Sequence, residues 1–131
     1  MPTDKGVLLD TSVVIAHFRG ATALTSQFPT FQELYLPQAA LAELYAGAYR
    51  SARPEKNLLQ IERFLEAMDV LLPDESTPKL YGRISAQLAR AGTPIPQNDV
   101  WIAALALQSD LPLATHDEHF GRVEGLKIIR C

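Results

Sequence analysis

Hydrophobic positions along the chain follow two patterns. Short apolar runs of three or four residues alternate with longer stretches in which apolar residues recur every third or fourth position. The first pattern marks strands buried on both faces, and the second marks helices that bury one side. The short runs predict strands at Val7–Asp10, Leu34–Leu36, Val70–Leu72, Leu111–Ala114 and Lys127–Ile129. Helices are expected at Ser12–Phe18, at Gln38–Arg50 with Leu41, Leu44, Tyr45 and Ala48 at helical spacing, and at Pro54–Met68 with Leu58, Ile61, Leu65 and Met68 facing inward. A fourth helix starts with Thr77 as N-cap and Pro78 in its first turn, turns Leu80, Ile84 and Leu88 inward, and stops at Gly92. The last long helix begins at Asn98 as N-cap and ends near Gln108, beyond the proline-containing loop Gly92–Gln97. No repeat or linker interrupts this alternation, which predicts one α/β domain over residues 1–131 with a mostly parallel sheet.

The pattern also predicts where chemistry belongs. In open parallel sheets, ligands sit beyond the carboxyl ends of the strands, where the direction of the connections reverses. Asp10 ends the first strand, and Thr115, His116 and Asp117 follow the fourth. If those two strands are neighbours, their ends meet at one place. A carboxylate ending a buried strand costs several kcal/mol to desolvate unless it is compensated. Either Asp10 caps the helix that follows it, or something positive binds there.

Composition narrows the field. A chain of 131 residues buries roughly two-thirds of its unfolded surface. With 47% hydrophobic and 21% charged residues and a formal net charge of −3, it lacks the broad basic surface of a protein that grips nucleic acid by charge alone. That balance leaves room for an enzyme that handles nucleic acid through a metal ion. The single cysteine, Cys131, supports neither a disulfide framework nor a cysteine metal site. The polar opening Met1–Gly6 does not read as a signal peptide, and no run approaches the about 20 apolar residues of a membrane span, so a cytoplasmic location is expected.

Four carboxylates stand out: Asp10, Glu43, Asp99 and Asp117. Glu43 lies in the almost uncharged helical stretch AALAELYAGAY, where an unpaired carboxylate has little to gain. Asp99 shares its helix face with Ile102 and Ala103. Taken singly, Asp99 serves equally well as a complement to the helix dipole, worth about 0.3–1 kcal/mol, and Asp117, beside Glu118, reads as a solvated loop acid. If the four converge, like charges raise one another's pKa values, and a hard divalent cation is what makes them tolerable together. Oxygen-only ligands select Mg²⁺ or Mn²⁺ over zinc, and such an ion points to hydrolysis of a phosphodiester.

The blocks VLLDTSVVI, AELYAGA, PIPQNDVWIAA and LATHDEHF, in this order between Val7 and Ile129, resemble the PIN-domain family, in particular the VapC ribonuclease toxins of bacterial toxin–antitoxin pairs. The resemblance implies a three-layer α/β/α sandwich around a mostly parallel five-stranded sheet whose first and fourth strands are adjacent. It makes Asp10, Glu43 and Asp99 the first three family acids and Asp117 the fourth and most variable, with Thr11, Ser12 and Thr115 as supporting polar residues. The implied activity is endonucleolytic RNA cleavage by a metal-activated water, leaving 5′-phosphate and 3′-hydroxyl ends. Asp10 and Asp99 would be the principal ligands of Mg²⁺ (or Mn²⁺), Glu43 would orient or deprotonate the water, and Asp117 would hold a second ion or an outer water. The implied partners are a VapB-like antitoxin, whose tail lies in a hydrophobic groove and pushes an Arg or Lys at the acids, and a second copy of the chain. Operator DNA would be reached only through the antitoxin. Phe18, Tyr45 and Tyr49 are candidates for that groove, and core packing would account for them equally well.

The remaining polar and aromatic residues are expected to play bland parts. His116 and His119 sit in the polar segment THDEHF and read as loop residues, Phe120 as a core plug, and Trp101 as packing. Arg19, Arg50 and Arg53 follow helices and either line an RNA backbone or are simply solvated. A phospho-signalling receiver domain would want paired acids at the first strand, an acceptor Asp after the third and a Lys after the fifth. Here Asp10 stands alone, Pro73 precedes Asp74, and only Arg130 follows the fifth strand. A haloacid-dehalogenase-type phosphatase would want a second acid where Ser12 stands. The alternative that survives is a PIN domain that binds RNA or a protein without cutting.

Overall fold

The computed structural model describes residues 6–20 and 33–131. Apart from Gly6, the polar opening stretch therefore lies outside the described residues. The strands are β1 (Gly6–Leu9), β2 (Glu33–Pro37), β3 (Asp69–Leu71), β4 (Leu113–Thr115) and β5 (Ile128–Arg130), in the spatial order β3-β2-β1-β4-β5. Every pairing is parallel, and Leu8 and Leu9 of β1 pair with Leu113 and Ala114 of β4. The expected neighbours are thus neighbours, and the sheet among the described residues is wholly parallel.

The helices are α1 (Thr11–Phe18), α2 (Gln38–Arg50), α3 (Pro54–Leu65), α4 (Thr77–Arg90) and α5 (Gln97–Ser109), followed by a 3₁₀ turn at Glu118–Arg122. Crossovers between parallel strands are right-handed. The outward path β1–β2–β3 therefore carries α1, α2 and α3 on one face, and the return from β3 across to β4 carries α4 and α5 on the other. The packing of α2 on α3 and of α4 on α5 follows this division and completes the α/β/α sandwich. Val7, Leu8 and Leu9 have no solvent exposure, as expected of a central strand covered on both faces. Helix α5 is buried nearly all round, with Val100 and Ile102 through Ala106 in the core.

Several boundaries differ from the sequence reading. Leu111 belongs to the end of α5 rather than to β4: Asp110 adopts a left-handed conformation (φ 52°), and the Leu111 N–H closes back on the Ala106 carbonyl at 3.1 Å. The third helix stops at Leu65, three residues short of Met68. Strand β3 ends at Leu71, where the approach to Pro73, which has no N–H to donate, ends the ladder. Thr77 is not an N-cap. It is the first helical residue, fully buried, and its hydroxyl accepts from the Asp74 N–H at 2.9 Å and donates to Gln108. Asn98 is not an N-cap either. Pro96 holds that position, its carbonyl accepting from the N–H groups of Asp99 and Val100, so Asn98 lies inside the first turn of α5.

Candidate active site

The carboxyl ends of β1 and β4 deliver Asp10 and Thr115 side by side, with the Asp10 N–H donating to the Ala114 carbonyl at 3.0 Å. Asp10 is the residue before α1, yet its side chain makes no capping bond, which removes the helix-cap explanation. Only 2% of it is exposed. Its Oδ2 accepts from the Ser12 hydroxyl at 2.7 Å and from the Thr115 hydroxyl at 2.8 Å. Those hydroxyls in turn accept backbone N–H groups, Ser12 from His116 at 3.1 Å and Thr115 from Asp117 at 2.9 Å. Two short relays thus pass backbone dipoles to one carboxylate oxygen, the kind of compensation a buried charge requires. Among the described residues, Asp10 Oδ1 has no protein donor.

The other acids arrive from separate elements. Glu43 stands on α2 and accepts the Thr11 hydroxyl on Oε1 at 3.2 Å. Asp99 stands in the first turn of α5, and Asp117 follows β4. Asp10, Glu43, Asp99 and Asp117 all line one open hollow of about 480 Å³, together with Thr11, Ser12 and Asn98. The structure therefore brings together every acid singled out in the sequence. Its electrostatics are those of crowded like charges. Burial, followed by the charges of Asp99 and Asp10, pushes the Glu43 carboxyl up, against the opposing bond from Thr11. Burial and the charge of Asp10 push Asp99 up as well, with His119 pulling the other way.

These shifts have a thermodynamic consequence. An acid whose pKa is higher in the folded than in the unfolded chain favours the fold at pH below the ordinary carboxylate range. That advantage is lost as the pH rises through the folded value, so the metal-free protein carries its largest penalty from Glu43 and Asp99 at neutral pH. Glu43→Gln is expected to raise the melting midpoint at pH 7.5 by about 1–2 °C, and by less at pH 4.5, because the group is only partly buried. Melting curves of the two proteins at both pH values test this.

His119 is the residue that sequence reasoning passed over. Its Nε2 lies 2.7 Å from Asp99 Oδ2, and its ring rests on Phe120 with centroids 4.8 Å apart. The signal available in the sequence was adjacency: Phe120 is fully buried, as expected of a core plug, and a residue next to a buried anchor cannot swing freely. His116 stays exposed, with Nδ1 3.1 Å from the Cys131 carbonyl. Trp101 packs on Tyr81 at a centroid distance of 4.4 Å.

Two further hollows share Glu43 with the acidic one. The first, about 380 Å³, is walled by Ile15, Phe18, Leu44 and Ile61, with Arg19 at its edge. Tyr45 packs against the core instead, and Tyr49 is 68% exposed without lining that hollow. The second runs over the small residues Ala42, Ala46 and Gly47 to Arg50. Arg53 precedes α3 and lines neither.

Residues 7–126 match the PIN domain family. The chain is 32% identical over 125 residues to Ribonuclease VapC1 of Haemophilus influenzae (strain R2866), covering 92% of this chain and 93% of that protein. It is 35% identical over 123 residues to the tRNA(fMet)-specific endonuclease VapC of Shigella flexneri, with the same coverages of 92% and 93%. Its fold is similar to a chain in the crystal structure of DNA-bound VapBC from Salmonella typhimurium, with a TM-score of 0.88, 31% identity, and coverage of 96% of this chain and 97% of that one.

Proposed function

The chain belongs to the PIN-domain family, among its VapC-type ribonuclease toxins, and from that premise we propose a Mg²⁺-dependent endoribonuclease whose acidic centre is Asp10, Glu43, Asp99 and Asp117. The observation that carries the assignment of the centre is that four carboxylates from four separate segments line a single hollow at the carboxyl ends of two adjacent strands.

The donors fit a hard divalent ion. They are all oxygens, and burial and acidic neighbours raise the pKa of two of the carboxyls, Glu43 and Asp99, a cost that a cation relieves. Among the described residues no three such side chains close around one ion-sized position. Mg²⁺ needs no such closed cage, since it keeps several waters and takes one or two carboxylates directly; Mn²⁺ would substitute. When bound, the ion supplies charge neutralisation at the scissile phosphate and an acidified water near neutral pH.

The protein's own groups do the rest. Asp10 and Asp99 would hold the ion, Asp10 with Oδ1 left free by the hydroxyl bonds on Oδ2. Glu43, tied through Oε1 to Thr11, orients the attacking water or takes its proton at Oε2. Asp117 would steady a second ion or an outer water. RNA follows the floor of Ala42, Ala46 and Gly47 towards Arg50, two turns of α2 from Glu43. Arg50→Ala is therefore expected to raise KM and to flatten the dependence of log binding on log salt by about 0.7, the share of one single-strand phosphate contact. Arg53→Ala is the comparison and should change neither.

A VapB-like antitoxin holds the toxin in check, its tail seated in the apolar hollow of Ile15, Phe18, Leu44 and Ile61, which opens beside Glu43. What supports this is the kinship with VapBC complexes, one of them bound to DNA. The chain acts as a homodimer in the cytoplasm, and reaches DNA only through the antitoxin. No helix among the described residues is long and apolar enough to cross a membrane.

The test is RNA cleavage by the purified chain without antitoxin, on transfer, ribosomal and messenger RNA, with Mg²⁺ or Mn²⁺ against EDTA. Discrete fragments with 5′-phosphates, formed only with metal, are the expected result. Metal binding by folded protein without cleavage of any of the three would replace catalysis with a binding role.

A further inference from the structure

We infer that His119 is a positioning residue for the metal centre, one that fixes Asp99 as a ligand by holding its Oδ2 and leaving Oδ1 for the ion; this rests on the acidic-centre reading above. The hydrogen bond is short, 2.7 Å between Nε2 and Oδ2, and since a carboxylate only accepts, Nε2 carries the hydrogen. Among the described residues no other protein donor reaches Asp99.

The placement of His119 separates positioning from direct chemistry. Asp99 lines the acidic hollow and His119 does not, so the imidazole stands behind the carboxylate rather than facing the scissile bond. Both partners are largely shielded, with side-chain exposures of 24% for His119 and 14% for Asp99. The imidazole is itself held in place. It sits inside the 3₁₀ turn Glu118–Arg122, and its ring lies against Phe120, which is fully buried. Asp99 is anchored from the other side by the first turn of α5. The bond therefore ties the loop after β4 to α5 behind the wall of the hollow.

A carboxylate in a first helical turn has rotamers that swing its oxygens away from a neighbouring site. Outer hydrogen bonds that select one orientation typically change metal affinity by roughly 10- to 100-fold when removed. Asp10 has its Ser12 and Thr115 hydroxyls for this purpose, and Glu43 has Thr11. In Asp99 the same task falls to His119.

Three substitutions in the full chain, free of RNA and antitoxin, test the inference, with Mn²⁺ affinity read by titration calorimetry and folding by circular dichroism. His119→Leu keeps bulk against Phe120 and removes the donor, His119→Ala removes both, and His119→Gln keeps an N–H donor at similar reach. The expected result is Mn²⁺ binding weakened roughly tenfold or more in folded His119→Leu and His119→Ala, and largely restored in His119→Gln. Cleavage by the same proteins should lose rate at limiting Mn²⁺ and recover at high Mn²⁺ without a change in KM for RNA. Unchanged or tighter Mn²⁺ binding in the leucine variant overturns the inference, and so does equal weakening in leucine and glutamine. If the unsubstituted chain itself binds no Mn²⁺, the metal-centre reading fails and takes this inference with it; a failure confined to the variants leaves that reading standing.

Discussion

Asp99→Asn is expected to lower RNA cleavage by at least about 10²–10³-fold while leaving the protein folded. The substitution keeps the shape of the side chain and an oxygen that can accept from His119, but removes the charge that would hold the ion. Loss of a metal's contribution to neutralising transition-state charge costs several kcal/mol, and each 1.36 kcal/mol is about tenfold in rate. The effect on stability is small because two changes oppose each other. The bond to His119 loses its ionic character, while Asp10 and Asp117 lose a like charge beside them. A melting midpoint within a few degrees of the parent, with the Mn²⁺-induced rise much reduced, would accompany the lost cleavage. Cleavage that survives both EDTA and Asp99→Asn would end the acidic-centre mechanism.

The second large effect concerns the scaffold behind the site. Phe120→Ala is expected to cost about 3–5 kcal/mol, the usual range for emptying a buried phenylalanine position. Phe120 has no solvent exposure and sits between the two loop residues that meet the acids, Asp117 and His119, and the strand β5 that follows. Against a total stability of about 5–15 kcal/mol this is a substantial fraction, and the melting midpoint should fall by more than about 10 °C. Cleavage by the fraction that remains folded should fall too, since the 3₁₀ turn loses the anchor that holds His119 against Asp99. Phe120→Leu should recover most of the stability. An unchanged midpoint in the alanine variant would show that the turn is held by something other than this plug.

The pH response of Glu43→Gln and the salt response of Arg50→Ala complement these two, since one reads the charge crowding without metal and the other reads the RNA path without touching the acids.

The sequence by itself determined the alternation of strands and helices, because apolar periodicity is a local property of neighbouring residues. It also determined which carboxylates were out of place. Asp10 ends a run of buried apolar residues, and Glu43 interrupts a neutral helix, and both anomalies are visible without knowing what lies across the fold. Helix and strand ends were less legible. Thr77 and Asn98 are good capping residues by type, yet Thr77 turns to Gln108 on α5 and Asn98 turns to the hollow, partners distant in the chain that outweigh local preference. Only the tertiary structure decided that the four acids share one hollow, since Asp10 and Asp117 meet through the pairing of β1 with β4, a contact between residues about a hundred positions apart. It also decided the standing of His119. Within THDEHF only its place beside Phe120 distinguishes that side chain from the exposed His116; that the histidine next to the buried Phe120 lies on Asp99 is set by packing across the fold.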